Sequence, residues 1–476
     1  MKDFNKIQFG LASAEDESAR NPNLLVEGYW DTGNIALEAK SGNKFLFLGY
    51  KGSGKSSLAE HLKLQKNAEF FPTIMNLEDF PYASFKKIVS GDADPEAKYP
   101  TAWSWLLLLK VIRSLKDDHG SPSIYEIRFT NIIDKLTSMG LLESDNLNKL
   151  VTQSSKNIFK AKIPSLLEVG AEENYANAEL VLSVVVDLLK DIINNFKTNS
   201  QHLLIIDGLD DILSTKEVQY QSLASLVFQV NRLNQEFTSS NTPVKIILLC
   251  RTELFERLPN ANKNKIRQNS AEYLEWYNPS DSNGKSNLWR LADLRAKISD
   301  STINSVIEDY LPKAIDGVAT SEFLLSLTRY TPRDLVLLLT NIQKHTSTQK
   351  PNRTNIIDGA KDYSYNYFAP EIKDELSGYY SPDDIDMTFQ IFGALRKRDF
   401  KISEAQELLA KREKKLSTSL ESILGALFEC SAIGNVQNRS SGSTFYTFKY
   451  RNRHSSFNTD ERIILHKGLW KAMNLI

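Results

Sequence analysis

Gly49-Tyr50-Lys51-Gly52-Ser53-Gly54-Lys55-Ser56 fits G-x-x-x-x-G-K-[ST] at every fixed position, the pattern of a loop that cradles phosphates. The chemistry explains the residue types. Gly49, Gly52 and Gly54 free the backbone to aim successive N–H groups, with that of Ser53, at phosphate oxygens. Lys55 adds a mobile positive charge, and the Ser56 hydroxyl is a hard oxygen ligand suited to Mg²⁺. Ser57 completes the set of nucleotide contacts. The apolar run Phe45-Leu46-Phe47-Leu48 precedes the motif and good helix formers follow it. Strand, glycine-rich loop and helix are the context the motif requires, and the helix N-terminus favours an anion.

Working outward, Thr73–Leu77 reads as a second strand. The continuous apolar runs Leu203-Leu204-Ile205-Ile206 and Lys245–Cys250 have buried-strand length, and helical spacing marks about 178–197 and 218–236. Alternating strands and helices predict an α/β fold, a P-loop NTPase parallel sheet with helices on both faces. Beyond residue 275 the strand signals stop. Segments 286–298, 301–315, 321–328 and 333–347 read as helices. The last ninety residues give three helices, near 387–398, 403–411 and 417–431, and a hairpin over 434–450, which is a winged-helix pattern. The domain plan is an N-terminal extension (1–40), the P-loop ATPase core (41–275), an α-helical lid (276–370), a linker (371–386) and a winged-helix-like basic domain (387–476).

Composition limits the function. The 476 residues carry 58 Lys+Arg against 59 Asp+Glu, a net charge of -1. That sum hides an asymmetry, for residues 387–476 hold 15 Lys+Arg and only 8 Asp+Glu. A basic domain suggests an acidic partner, and DNA is one such partner. The other reading is a solvated or self-docked charged surface. Cys250 and Cys430 are the only cysteines, so a disulfide scaffold is excluded. The six histidines are scattered without metal-ligand spacing. No signal peptide or membrane-spanning run is legible, so a cytoplasmic protein with no membrane partner is expected.

Phosphoryl chemistry needs a carboxylate at another strand tip to hold Mg²⁺. Asp207 ends its apolar run and takes that role. Asp210 or Asp211 would orient the attacking water, or else cap the helix that follows. Arg251, at the end of the 245–250 strand, would sense the γ-phosphate or pair with an acid at the sheet edge, and Thr252 beside it has the same option. Arg333, in Tyr330-Thr331-Pro332-Arg333-Asp334, would reach nucleotide from the lid or form a surface ion pair with Asp334 or another acid. Neither Asn148-Lys149 nor Asn264-Lys265 continues into N-K-x-D, which favours ATP over GTP.

Segments 49–56, 205–211, 248–252 and 331–334 resemble the additional-strand P-loop ATPases. Within that group they are similar to the STAND and AAA-like ATPases of bacteria, a class associated with anti-phage defence. The resemblance implies an ATP-controlled switch with Mg²⁺, a lid, a homo-oligomer and an effector protein. It supports Lys55 and Ser56 as nucleotide and metal contacts and Asp207 as the metal carboxylate. It makes Arg251 a sensor and Arg333 a lid arginine. The AAA pattern has Glu directly after the metal Asp. Here Gly208 stands there, as in a STAND-type Asp-Gly-Leu-Asp, so the water-orienting residue is left open. A DNA-binding module with a regulatory or structural ATP site is the alternative function. A P-loop kinase is a weaker third, disfavoured by the long helical segment and winged-helix end.

Overall fold

The computed structural model describes residues 1–78, 80–89, 95–142, 146–156, 162, 166, 178–209, 217–259, 263–280, 286–438 and 442–475. The chain divides into two compact units. One comprises Gly33–Gly49 and Leu58–Leu274, and the other Met1–Thr32, Tyr50–Ser57 and Glu275–Ile476.

The first unit is built on a five-stranded sheet. Its strands are β1 (Leu46–Gly49), β2 (Phe70–Asn76), β3 (Gln201–Asp207), β4 (Val244–Arg251) and β5 (Ala271–Tyr273). All pairings are parallel, in the order β2-β3-β4-β1-β5. The central residues of β1, β3 and β4 are unbroken apolar runs because both faces are covered. Helix α1 (Lys55–Leu64) begins where the phosphate loop ends. Residues of α2 (Pro95–Lys116), α3 (Ala178–Asn194) and α4 (Glu217–Ser239) join strand residues in one apolar core, with Trp103 and Trp105 fully buried. The Trp103 indole N–H donates to Ser222 O at 2.9 Å, so its polar edge is satisfied inside the core. Strand β5 escaped the sequence reading because three residues, two of them half-buried, carry almost no periodic signal.

The second unit is mostly helical. Its core gathers Trp289, Tyr310, Phe368, Phe392 and Phe428. Phe4, Ile7 and Phe9 of the predicted N-terminal extension are part of that core, and the buried Arg295 holds Glu17 at 2.8 Å. Helices α5 (Asn287–Ser299) and α6 (Pro332–Lys344) lie near their expected places, whereas α7 (Arg353–Tyr363) stands where no helix was expected. The expected helix over 301–315 is instead a short Val306–Tyr310 turn of helix leading into a ribbon, β6 (Ala314–Ile315) with β7 (Val318–Ala319). Asp316 and Gly317 at its tip have positive φ, which ends helical geometry there.

Residues 371–386, expected as a linker, are largely helical. Helix α7 passes through a π-helical turn, Ser364–Phe368, into α8 (Ala369–Ser377), and α9 (Pro382–Leu395) follows. Pro370 and Pro382 suggested a break, yet Pro382 opens α9, where a missing N–H costs nothing, and Pro370 follows directly on the π-helical turn. The C-terminal segment continues with β8 (Asp399–Phe400), α10 (Ile402–Ala410), α11 (Leu420–Glu429), β9 (Ile433–Asn438), β10 (Thr444–Thr447) and β11 (Arg462–Leu465). These strands form one sheet in the order β10-β9-β11-β8. Three helices with a β9–β10 wing make a winged helix, and β8 and β11 are additions that the sequence reading missed. No helix among the described residues is long and apolar enough to cross a membrane.

Candidate functional site

In the sheet unit, chain direction places the carboxyl ends of all five strands on one edge. Gly49 pairs in register with Arg251, and Asp207 with Asn76. Strand β4 lies between β1 and β3. It is an additional strand, inserted between the strand that feeds the phosphate loop and the strand that ends in the acid. Asp207 is buried, 8% exposed. Its carbonyl accepts from Leu77 N–H at 2.9 Å, which ties the tips of β2 and β3 together.

Gly208 has φ +78°, and a Cβ there would lie 1.9 Å from Asn76 Oδ1 and 2.9 Å from Glu78 N. That crowding is why no acid follows Asp207. Asn76 Oδ1 accepts from Glu78 N–H at 2.8 Å, so the backbone of an exposed acid, Glu78, closes this edge at the end of β2. The sequence reading missed it. Its only trace was Asn76-Leu77-Glu78 closing an expected strand. Asp210 and Asp211 lie outside the described residues. At the tip of β4, the buried Thr252 hydroxyl has no hydrogen-bond partner. Arg251 stands beside it with half-buried exposure.

In the helical unit, the phosphate loop is held by groups far away in sequence. Ser53 N–H donates to Tyr50 O at 3.1 Å, and the Trp276 indole N–H donates to Ser53 O at 2.8 Å. Lys55 is 5% exposed, and its Nζ donates to Tyr50 O at 3.3 Å. Gly52 and Gly54 have φ of +81° and +98°, the conformations that curl backbone N–H groups into a concavity for an anion. A Cβ on Gly54 would meet nothing within 4 Å, whereas one on Gly52 would crowd Thr331 Oγ1 and Arg333 Cβ at 3.2 Å. Arg333 N–H donates to Gly52 O at 3.4 Å. Its guanidinium pairs with Glu371, not with Asp334.

Asp334 is fully buried and belongs to another network. It accepts from Arg329, which also holds Glu375 at 2.6 Å, and from Tyr367 Oη at 2.9 Å. Burial alone would raise the Asp334 pKa, but the Arg329 charge and these hydrogen bonds outweigh it and hold the carboxyl below its ordinary value. Of the acids open to Arg333, the structure selects Glu371 and not its neighbour. A helix start points adjacent side chains in different directions.

The donors of the loop fit the phosphates of a nucleotide. Ser53 Oγ is buried without a partner in the concavity, and the Gly54 side of the loop is open. The Ser56 hydroxyl and, in the sheet unit, the Asp207 carboxylate are each hard oxygens of the kind Mg²⁺ accepts. Among the described residues no cluster of three or more His, Cys, Asp or Glu could hold a metal by itself.

A Ser–His–Asp string also occurs. Ser114 Oγ lies 2.8 Å from His202 Nδ1, and His202 Nε2 lies 3.4 Å from Asp118 Oδ2. Ser114 is inside α2, with no elbow to present it to a substrate. The group fastens α2 to β3.

The basic C-terminal residues lie at helix ends and after the wing. Helix α11, in the position that would enter a major groove, contains Glu421 and Glu429 and no Lys or Arg, and it buries Leu420, Ile423, Leu424, Leu427 and Phe428. Arg453 pairs with Glu275 at 2.7 Å and Lys449 with Glu429 at 3.1 Å. Arg451 lies over the rings of Tyr277, Phe448 and Tyr450 at 5.5–5.8 Å. The basic residues 411, 412, 414 and 415, in the α10–α11 connection, are exposed.

No protein-family description matches the chain, and no curated protein matches it. Among solved structures, the Orc1 protein of Aeropyrum pernix in complex with DNA matches with a TM-score of 0.35 and 11% identity, over 98% of this chain and 93% of that one. Cdc6p of Pyrobaculum aerophilum matches with a TM-score of 0.31 and 12% identity, over 92% of each chain. At such similarity the site must be read from its own geometry.

Proposed function

We propose that the protein is an ATP-binding and ATP-hydrolysing switch of the additional-strand P-loop class. The observation that carries this reading is the sheet order, with β4 between the strand feeding the loop and the strand ending in Asp207. Backbone N–H groups of the loop and the Lys55 ammonium would bind and orient the β- and γ-phosphates. Ser56 and Asp207 would hold Mg²⁺, which when bound neutralises charge developing on the phosphates. Thr252 or Arg251 would sense the γ-phosphate. Asp210 or Asp211 would orient the attacking water. Without an acid directly after Asp207, turnover would be slow, which suits a switch better than a motor.

The finer reading rests on the sequence resemblance alone. It is a STAND-type switch that assembles as a homo-oligomer, engages an effector protein and serves anti-phage defence. The deciding experiment is phosphate release by the purified chain with ATP and Mg²⁺. Lys55→Ala should abolish it, and hydrolysis that persists in the variant would remove the P-loop assignment.

A second reading, contact with DNA, is favoured by one observation. The 411–415 connection is exposed throughout and carries four basic residues against Glu413. Such a contact would be made to phosphates and would carry little sequence information.

A further inference from the structure

A carboxylate beside a phosphate-binding loop is electrostatically out of place, and Glu371 is one. It lies in the first turn of α8 and is 12% exposed. One of its oxygens, Oε1, receives both Lys51 Nζ at 3.1 Å and Arg333 Nη1 at 3.4 Å. Lys51 is a loop residue. Arg333 is in the first turn of α6 and its backbone N–H meets Gly52 O. Two cations that could serve an incoming polyphosphate are therefore committed to a single partly desolvated acid. The same acid joins the loop to the two helices that carry Arg333 and Glu371.

We propose that Glu371 is an internal competitor for phosphate, a latch that Lys51 and Arg333 leave when nucleotide binds, so that nucleotide binding loosens α8 from the loop. Glu371 is a positioning residue: it acts through the two cations. This inference rests on the reading of residues 49–56 as the nucleotide site. It predicts effects of opposite sign for the two ends of one ion pair. Removing the acid leaves both cations to the phosphates and removes a repulsion at several ångströms, which in a half-hydrated site is about a tenfold effect. Removing the loop lysine does the reverse.

The test is equilibrium titration of the full chain with a fluorescent ATP analogue and Mg²⁺, at low and at high salt. Glu371→Gln should tighten binding by about tenfold, Lys51→Met should weaken it, and salt should shrink both effects. Thermal unfolding without nucleotide verifies that each variant folds. If Glu371→Gln does not fold, Glu371→Asp, which withdraws the carboxylate by one methylene, should tighten binding in the same sense by a smaller factor. A Glu371 variant that folds and binds with unchanged or weaker affinity overturns the latch, since a purely structural clamp would weaken binding from either end. Wild-type binding that is lost in Lys55→Ala but insensitive to Glu371 rejects the latch and keeps the nucleotide site. Absence of wild-type binding rejects both.

Discussion

Gly208 shows how one backbone angle limits the chemistry at a strand tip. With φ at +78° and Asn76 Oδ1 1.9 Å from where a Cβ would stand, no side chain fits directly after Asp207. The expected acid is therefore absent for a steric reason. Gly208→Ala should destabilise the protein by about 1–3 kcal/mol, read as a lower urea midpoint. Gly208→Glu, which restores the acid of the AAA pattern, should lose stability without gaining turnover. A stable and faster Gly208→Glu variant would contradict this account. The same residue-level logic separates Arg333 from Asp334. They are adjacent in sequence, yet one reaches Glu371 and the other is sealed against Arg329.

Among the elements, the helical unit relies on buried polar groups whose protonation matters. His466 caps the short Lys467–Trp470 helix, accepting Gly468 N–H at Nδ1 at 3.0 Å, and stacks on Phe368 of the π-helical turn. Burial pushes its pKa down to about 3, a penalty that the nearby Asp334 charge does not cancel. The folded state therefore prefers neutral His466 while the unfolded chain protonates near the ordinary 6.5. Stability from this group is fully present above the unfolded value. It falls as pH drops through the window down to about 3, by up to about 1.4 kcal/mol per pH unit. His466→Asn, which keeps an acceptor for the cap, should flatten the denaturation-versus-pH profile between those limits. An unchanged slope would mean that other groups set it. Secondary structure was legible here where helical spacing decides it, as in α5, α6 and α11. The π-helical turn and the short ribbon were not, because neither has a period.

For the whole molecule, the near-neutral net charge is a cancellation between an acidic body, residues 1–386, and a basic C-terminal ninety. The structure divides that basic charge further. Arg451 lies over Tyr450 and Arg453 pairs with Glu275, and in the exposed 411–415 connection Lys414 pairs with Asp383. Lys414→Glu with Lys415→Glu should weaken duplex DNA binding and reduce the steepness of its salt dependence by about 0.9 for each phosphate no longer neutralised. Equal affinity and slope in the variant would exclude this loop as the DNA-binding segment. By itself the sequence determined the phosphate loop, since its chemistry lies in eight contiguous residues. It determined the strands ending at Asp207 and Arg251, since parallel strands buried on both faces read as unbroken apolar runs. It also determined the succession of helices and hairpin at the C-terminus. Only the tertiary structure decided that β4 lies between β1 and β3, since hydropathy carries no strand order. Only the tertiary structure set Glu78 beside Gly208, and Glu371 on Lys51. Those pairings join residues that no local pattern links, and chain folding alone brings their charges within reach.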